Sequence, residues 1–426
     1  MSTGRTDGRT GRHRAAVAVA GAVAVAAGLL TSCAGDQVPS AAPTSEAPPA
    51  VSAQVGKLIA RRAAAVRAGD LQRFLDTVDP GRTRLVARQE RYFLNLRDLP
   101  LAEFGYGVDG VIPIEGGRGD VMAVVQVHMQ LDGFDAAPVR TYAAYKFHRD
   151  PDLGWVMVAD RDREFERDND LEPQPWDVTR IETVEGNGVL GIFDRRTVDE
   201  AYQIIPAVEQ GIRQVAANVP VAWERRVVIY ALSDVRFLAG LDDLPGGDPD
   251  RLDGVAFPVR VGPGSTELAG TRFMLHPRMI GRDTATRSRL IRHELTHVAL
   301  GHLDDAVPTW LAEGIAEYVS VRPVPPHDRL ISGEALHAAR GGLRALPGDE
   351  DFNGAHSGAN YGIAWFAVEY LASAYGEQAV WGLLQAMRQG DGTTDAEQDE
   401  VLEEVVGIDS EELARKAARK IVHTFG

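Results

Sequence analysis

Two histidines and a glutamate stand close together in the stretch His293-Glu294-Leu295-Thr296-His297. On a helix, positions four residues apart lie above one another on one face, so both imidazoles can point at one place. Neutral imidazole is a common zinc ligand, and a catalytic zinc ion takes three protein ligands and keeps one position open. Glu294 lies about 100° round the helix from His293, within reach of a water molecule at that position. The spacing therefore predicts a metal site in which Glu294 is the general base.

The residues around this motif predict a helix. Apolar residues recur at helical spacing, Asp283 or Thr284 can cap its start, and Gly301 can end it.

A third ligand must come from elsewhere in the chain. The position of a nearby third histidine is occupied by Leu303, and His302 is one residue out of register.

The third ligand that the sequence favours is Glu313, in an apolar segment from Trp310 to Tyr318 that predicts a second helix. A carboxylate is costly in an apolar helix unless something pairs with it, and a zinc ion would do so. Glu317 follows one turn later on the same face. It can accept the free N–H of one zinc-binding histidine.

These two segments resemble the zinc peptidases of the gluzincin type, which carry H-E-x-x-H and a later helix with the pattern W-L-x-E-G-x-A-x-Y. The residues that match this helix are Trp310, Leu311, Glu313, Gly314, Ala316 and Tyr318. The resemblance spans residues 176–426 and looks like the compact peptidase MA-like group, because only 15 residues separate His297 from Glu313. It implies that His293, His297 and Glu313 bind Zn²⁺ and that Glu294 is the catalytic base. The alternative is a degenerate relative without metal.

The resemblance also implies roles outside the two helices. In large gluzincin aminopeptidases a tyrosine at the start of a comparable helix stabilises the oxyanion, and Tyr361 precedes an apolar helix predicted from Ile363 to Ala374. Simple packing is the alternative for Tyr361, and His356 is a second candidate for the same role. The strand predicted at Thr271–His276 resembles the sheet edge that pairs with extended substrate in gluzincins; alternatively, it is a structural strand.

The N-terminal residues predict export and a lipid anchor. A basic start precedes a short apolar run from Ala15 to Leu30, and the sequence L-T-S-C that ends at Cys33 looks like a bacterial lipobox. Residues 1–32 are then a signal peptide, and lipid chains on Cys33 hold the protein at the extracytoplasmic side of the cell membrane. An ordinary cleaved signal peptide is the alternative. Residues 33–54, rich in Ala, Pro, Ser and Thr, predict a disordered tether.

The remaining residues predict two domains and an α+β fold class. Residues 55–170 have the pattern of helices followed by an antiparallel meander with a G-W-x-V strand, which resembles the cone-shaped NTF2-like fold. Residues 176–426 form the peptidase-like domain, mostly helical with a small sheet. Within it, Leu241–Gly264 is rich in Gly, Asp and Pro and predicts a surface loop.

The expected function is hydrolysis of peptide bonds by a membrane-anchored zinc metallopeptidase. The expected partners are a peptide or protein substrate and the membrane; a net charge of −16 argues against nucleic acid. The G-x-M-E-N stretch that holds the substrate's amino terminus in gluzincin aminopeptidases is not found, which favours an endopeptidase. Two alternatives stay open. One is a non-catalytic lipoprotein that binds a ligand or partner with a degenerate peptidase fold, and the other is a hydrolase of non-peptide bonds in the cell envelope.

Overall fold

A computed structural model describes residues 46–116, 119–169, 171, 173–235, 237, 252–305, 307–390 and 394–426, and the backbone of β1 (Ala22–Val25). Cys33, most of the predicted signal peptide and the first part of the predicted tether lie outside the described residues. Over the described residues, the predicted α+β fold class is confirmed. The chain forms a four-stranded antiparallel sheet with helices, a mixed sheet of five strands and a helical C-terminal region.

The N-terminal part consists of helices followed by an antiparallel meander, the order that the sequence predicts. Its elements are α1 (Pro49–Ala68), α2 (Leu71–Leu75), α3 (Thr83–Asp98), β2 (Leu101–Pro113), β3 (Val121–Leu131), β4 (Val139–Asp150) and β5 (Gly154–Ala159). Each strand pairs with the next, and α1 and α3 share a buried cluster with the sheet. Helix α1 begins inside the predicted tether, because Pro49 suits a first turn in which its missing N–H has no helical partner.

A short connection leads from the meander to the mixed sheet. The elements here are α4 (Arg163–Asp168), α5 (Pro175–Val178), β6 (Ile181–Gly186), β7 (Val189–Asp194), α6 (Ala201–Asn218), β8 (Val227–Ala231), β9 (Leu252–Arg260) and β10 (Leu268–Leu275). The strands lie in the order β9-β10-β8-β7-β6, and β7, β8 and β10 are parallel. The backbone of β1 pairs in parallel with the outer side of β9. The sequence does not predict this contact, which satisfies N–H and C=O groups that an edge strand leaves unpaired.

Two predictions about the mixed sheet are wrong. The predicted loop Leu241–Gly264 is wrong over Leu252–Arg260, which forms β9, while residues 241–251 lie outside the described residues. Gly254 and Pro258 interrupt the run of buried apolar residues and hide the strand pattern in the sequence. The strand predicted at Thr271–His276 is present as β10, but it lies between β8 and β9, so its interpretation as a sheet edge is wrong and the alternative, a structural strand, is confirmed. Strand β9 is stabilised by its pairing with β10, and such pairing depends on neighbours that a local pattern does not contain.

The C-terminal region is helical. Its helices are α7 (Pro277–Ile280), α8 (Thr284–Leu300), α9 (Thr309–Val321), α10 (Gly333–Gly341), α11 (Ser357–Tyr375), α12 (Glu377–Gln389), α13 (Asp395–Val406) and α14 (Ser410–Phe425). Helix α11 begins earlier than the predicted Ile363, and the sequence does not predict α13. Among the described residues, no helix combines the length and apolar character needed to cross a lipid bilayer.

The mixed sheet is covered on both faces. Helices of the C-terminal region and α6 cover one face. The other face packs against the N-terminal part, where Phe93 and Leu96 of α3 share a buried cluster with Val228, Tyr230 and Met274 of the sheet. The two predicted domains therefore pack directly against each other, and the mixed sheet of the second lies between the N-terminal part and the C-terminal helices.

A buried ion pair reinforces this contact between layers. Arg272 of β10 donates to the Asp135 carboxylate at 3.0 and 3.2 Å and to the Tyr230 hydroxyl at 2.8 Å. Both charged side chains are at most 4% exposed. The amide of Ala136, next to Asp135, also donates to the Ala269 carbonyl of β10 at 2.7 Å. Because a buried guanidinium is costly without a counter-charge, Asp135 helps to fix where the N-terminal part packs.

Asp135→Ala should therefore destabilise the protein strongly. Removing one partner leaves Arg272 buried and uncompensated, and we expect the free energy of unfolding to fall by about 3–5 kcal/mol. Urea unfolding followed by circular dichroism measures the change. Glu411→Ala is the control, because it removes an exposed pair with Arg415 and should cost about 1 kcal/mol or less. A loss for Asp135→Ala as small as that of the control would contradict the role given to the pair.

Candidate metal centre

The predicted motif lies on α8, which begins and ends where the sequence indicates. The Asp283 carboxylate accepts a hydrogen bond from the Thr286 amide at 3.0 Å, and Gly301 follows the last turn with a φ of 59°. Every residue of α8 from Leu290 to Leu300 is buried, and the helix contacts both α6 and α9. Such burial keeps bulk water out, so any charge on this segment needs a partner within the protein.

Three side chains converge beside this helix: His293 and His297 from α8, and Glu313 from α9. Nε2 of His293 lies 3.1 Å from Oε2 of Glu313 and 3.2 Å from Nε2 of His297. The third distance, from Nε2 of His297 to Oε2 of Glu313, is 3.6 Å. Ligand atoms at about 2.0–2.1 Å from a tetrahedral zinc ion are about 3.3 Å apart, so these three atoms are spaced for one metal ion. This group, at most 2% exposed, can hold a metal ion.

Close packing of α9 on α11 brings Glu313 to this position. A Cβ atom at Gly314 would lie 2.5 Å from the carbonyl oxygen of Ala364 in α11. Glycine is therefore needed for the two helices to approach this closely, since any other residue would push their backbones apart. Glu313 is thus a possible metal ligand, and the neighbouring Gly314 makes the helix contact that positions it.

Each histidine also contacts a carboxylate through its other ring nitrogen. Nδ1 of His293 lies 3.2 Å from Oε1 of Glu317, the residue predicted for this position, although the angle is too bent for a good hydrogen bond. Nδ1 of His297 lies 2.8 Å from Oδ2 of Asp304, which the sequence does not single out. Asp304 is buried in the connection between α8 and α9, and this burial is what marks it as a partner of His297. No local sequence pattern indicates that burial. Such carboxylates orient the rings and make them better ligands.

Glu317 is in turn paired with Arg289, one turn before His293 on α8. The Arg289 guanidinium also lies over the ring of Trp365, 5.2 Å from its centroid, and donates to the Leu330 carbonyl at 3.3 Å. Burial alone would raise the pKa of Glu317, but Arg289 and His293 outweigh it and lower the pKa to about 2. Arg289 thus keeps Glu317 ionised and in place beside His293, a role that the sequence analysis missed.

Glu294 is completely buried next to the three donors. Neither of its carboxylate oxygens completes a hydrogen bond with a described residue, although the Ala256 amide is near enough to influence its pKa. Burial raises that pKa to about 8, against the opposing charges of His293 and His297. A Cβ atom at Gly254 would lie 2.8 Å from Oε1 of Glu294, so glycine allows β9 to pass this closely. The carboxylate can therefore exchange a proton near neutral pH.

The other predicted residues differ in how close they lie to the donors. Tyr361 is buried in α11, its ring centroid is 6.2 Å from that of His293, and its hydroxyl donates to Oδ1 of Asn353 at 3.0 Å. His356 is exposed at the start of α11, and His302 is exposed just after α8. Neither histidine belongs to the donor group among the described residues. Tyr361 is therefore the one of these three that lies beside the centre.

Both histidines of the donor group carry protons at neutral pH when no metal is bound. Burial alone would lower the pKa of each ring, but the surrounding carboxylates outweigh it. Glu313 and Glu317 raise the pKa of His293 to about 9, and Glu313 and Asp304 raise that of His297 to about 10. The two imidazolium groups thus carry the same total charge as a divalent metal ion, and they carry it at the same place.

Metal binding at pH 7 should therefore release about two protons, because each ring must lose one before its nitrogen can bind a metal. Calorimetric titration with zinc in buffers of low and high ionisation enthalpy measures this number. The affinity should rise as the pH increases towards 9, since fewer protons then compete for the two nitrogens. A heat of binding that is the same in every buffer would contradict the raised pKa values of His293 and His297.

Arg289→Met should weaken metal binding, because Glu317 loses the cation that holds it beside His293. Loss of such an outer contact typically costs about 10–100-fold in metal affinity, and competition with a chromogenic chelator at pH 7 measures it. Arg340→Met is the matched control, since Arg340 is exposed on α10. Arg289→Lys keeps the charge and should restore part of the affinity. If Arg289→Met and the control bind metal equally well, Arg289 is not a positioning residue.

Neither of two comparisons with known proteins finds a relative. No model of a known protein family matches the chain, and no curated protein is significantly similar to it. What is shown of this centre is its geometry: three buried donor atoms spaced for one metal ion. Beside them lies a buried glutamate whose oxygens have no hydrogen-bond partner in the described part of the chain.

Proposed function

We propose that this chain is a zinc metallopeptidase that cleaves peptide bonds with water. One observation carries the proposal: the imidazoles of His293 and His297 and the carboxylate of Glu313 converge beside the unpaired carboxylate of Glu294. Structural zinc sites take four protein ligands, whereas hydrolytic sites take three and keep one position open. The group of three donors among the described residues has the composition of a hydrolytic site, and a structural site would have no use for a base.

Zinc is the ion that this donor set suits best. Magnesium and calcium are bound by oxygen ligands, whereas imidazole nitrogen favours zinc and other transition metals. Zinc also accepts a tetrahedral arrangement, which donor atoms 3.1–3.6 Å apart fit. When bound, it would supply Lewis acidity: it would polarise a carbonyl group, lower the pKa of water to about 7 and favour the ionised form of Glu294.

Glu294 is the general base in this proposal. Its carboxylate, with a pKa raised to about 8 by burial, accepts a proton from the attacking water and returns it to the leaving amine. Because neither oxygen has a hydrogen-bond partner among the described residues, both are available for this exchange. Asp304 and the pair of Arg289 and Glu317 hold the two imidazoles, so the ligands need little rearrangement when a metal binds.

Tyr361 and β9 complete the proposed site. The ring of Tyr361 lies beside that of His293, and in this proposal its hydroxyl gives up its hydrogen bond to Asn353 and donates to the oxyanion instead. Such a donor typically contributes about 3 kcal/mol. Extended substrate would pair with β9, the strand that passes Glu294 at Gly254, in place of β1, which lies within the predicted signal peptide. The pairing of β1 along β9 supports the capacity of this edge to accept an extended segment. Main-chain pairing suits an endopeptidase, because it does not depend on a free substrate terminus.

The proposed place of action is the extracytoplasmic side of the cell membrane. Its support is the sequence pattern at the N-terminus, a basic start and a short apolar run before the L-T-S-C sequence that ends at Cys33. Lipid chains on Cys33 would hold the folded part at the membrane surface. The substrates within reach are then peptides and proteins outside the cytoplasm.

Zinc content and proteolysis, measured on the same preparations, test the proposal. We expect the wild-type protein to bind zinc and to cleave an unfolded protein. Glu294→Gln should retain the zinc but cleave about 10²–10⁴-fold more slowly, because an amide cannot accept the proton. Glu334→Gln is the matched control, since Glu334 is exposed on α10, and it should change neither measurement.

Two results would replace this proposal with one of its alternatives. Equal cleavage by the wild type and Glu294→Gln, with zinc bound to both, would favour a lipoprotein that binds a ligand or partner without catalysis. Absence of peptide cleavage, together with Glu294-dependent hydrolysis of another bond of the cell envelope, would favour the non-peptide hydrolase.

A further inference from the structure

A cavity of about 760 Å³ lies apart from the metal centre and shares no lining residue with it. It is bounded by Arg161 before α4, by the connection between α4 and β6, and by the described residues that follow β7 and β8. Those two strands are parallel neighbours, so their carboxyl ends meet at one edge of the sheet. This is where ligand sites of open sheets with parallel strands form, and the volume is that of a small-molecule site.

The described lining of this cavity includes four arginines and two aspartates, in a chain whose net charge is −16. Two of the arginines are already paired. Arg161 makes a bidentate contact with the Glu166 carboxylate, and Arg180 pairs with Asp98. These two side chains build the wall of the cavity and are not free to bind a ligand.

The other two arginines have no partner in the part of the chain that the structure describes. Arg195 and Arg196 are exposed, and neither guanidinium makes a hydrogen bond or ion pair with a described residue. The nearby carboxylates are occupied: Asp194 accepts the amides of Ser233 at 2.7 Å and of Arg196 at 2.8 Å, and Asp234 has a partner of its own. The cavity therefore presents two uncommitted cations and no uncommitted carboxylate among its described residues.

One side of the same cavity is apolar. Val178, Leu232 and Phe237 line it, and Val178 is 42% exposed, which is high for an aliphatic side chain. Phe237 is held edge-on against the ring of Tyr230, with centroids 5.6 Å apart. A ligand that fits this combination has an apolar body that covers these side chains and an anionic group that reaches the guanidinium groups.

We propose that this cavity binds a small organic anion, a carboxylate or a phosphate attached to an apolar body, and that Arg195 and Arg196 bind its anionic group. A guanidinium presents paired N–H donors that match the oxygens of both groups. The site is distinct from the proposed peptidase centre, and neither proposal depends on the other.

Calorimetric titration of the full-length protein in detergent tests this site with three probes of similar body: 1-naphthoate, 1-naphthyl phosphate and the neutral 1-naphthalenemethanol. The neutral probe measures partition into detergent and apolar binding alone. At least one anion should bind more tightly than the alcohol. The double variant Arg195→Gln/Arg196→Gln should weaken that binding by about tenfold or more, since it removes two charged hydrogen-bonding groups. Arg84→Gln/Arg213→Gln is the matched control, because both residues are exposed away from the cavity and the net charge changes equally.

The outcomes separate clearly. Binding of the carboxylate alone, of the phosphate alone or of both supports the proposal and identifies the anionic group. The proposal is overturned if neither anion binds more tightly than the alcohol, or if Arg195→Gln/Arg196→Gln binds as tightly as the control. Zinc content and proteolysis should be the same in both double variants, so a failure here leaves the proposed peptidase function untouched.

Discussion

Buried charge is the constraint on which the rest of this structure depends. Four carboxylates and two imidazoles lie around α8 and α9 where little or no water reaches them, and an unpaired charge in such a place costs several kcal/mol. Without a metal, two protonated imidazoles and Arg289 balance three of the carboxylates. Burial raises the pKa of Glu294 to about 8, so this fourth carboxyl group stays protonated when the pH is below that value. A divalent ion in place of the two protons leaves this balance unchanged. The same fold can therefore accommodate both the protonated centre without metal and the centre with a divalent ion bound.

The mixed sheet connects this centre to the rest of the protein. Its strand β9 passes directly beside Glu294 at Gly254, and β10 leads through α7 into α8. The opposite face of the sheet is not open to solvent but packs against α3 and the meander, where Arg272 meets Asp135. The N-terminal part is thus a supporting layer for the sheet that carries the metal centre. Its position follows from burial of a shared apolar surface and one charged pair.

Arginine side chains serve two different purposes in this chain. Arg272, which is buried, and Arg289, which is half-buried, are paired with carboxylates, so their charges stabilise a particular packing of layers and helices. Arg195 and Arg196 follow β7 and have no partner among the described residues, while the adjacent carboxylate of Asp194 already accepts two backbone amides. Because the Asp194 carboxylate is occupied by backbone amides, it does not pair with the two guanidinium groups. Arg195 and Arg196 therefore stay available to a ligand, whereas the structural arginines have carboxylate partners.

Local periodicity let the sequence determine much of the centre. His293 and His297 are four residues apart on one helix, and Glu313 and Glu317 repeat that spacing in an apolar segment, so backbone geometry alone places each pair on one face. The helices α8 and α9 and the meander of β3, β4 and β5 follow from the same local patterns.

Only the tertiary structure decided which residues from separate elements meet. Asp304 reaches His297 because its side chain turns inward from the connection between α8 and α9. Arg289 of α8 reaches Glu317 of α9, and β9 forms because it pairs with β10. These outcomes depend on contacts between residues distant in sequence, whose energies come from desolvation and neighbouring charges. A periodic pattern records the direction in which a side chain points along its own helix or strand. It does not record what that side chain will meet.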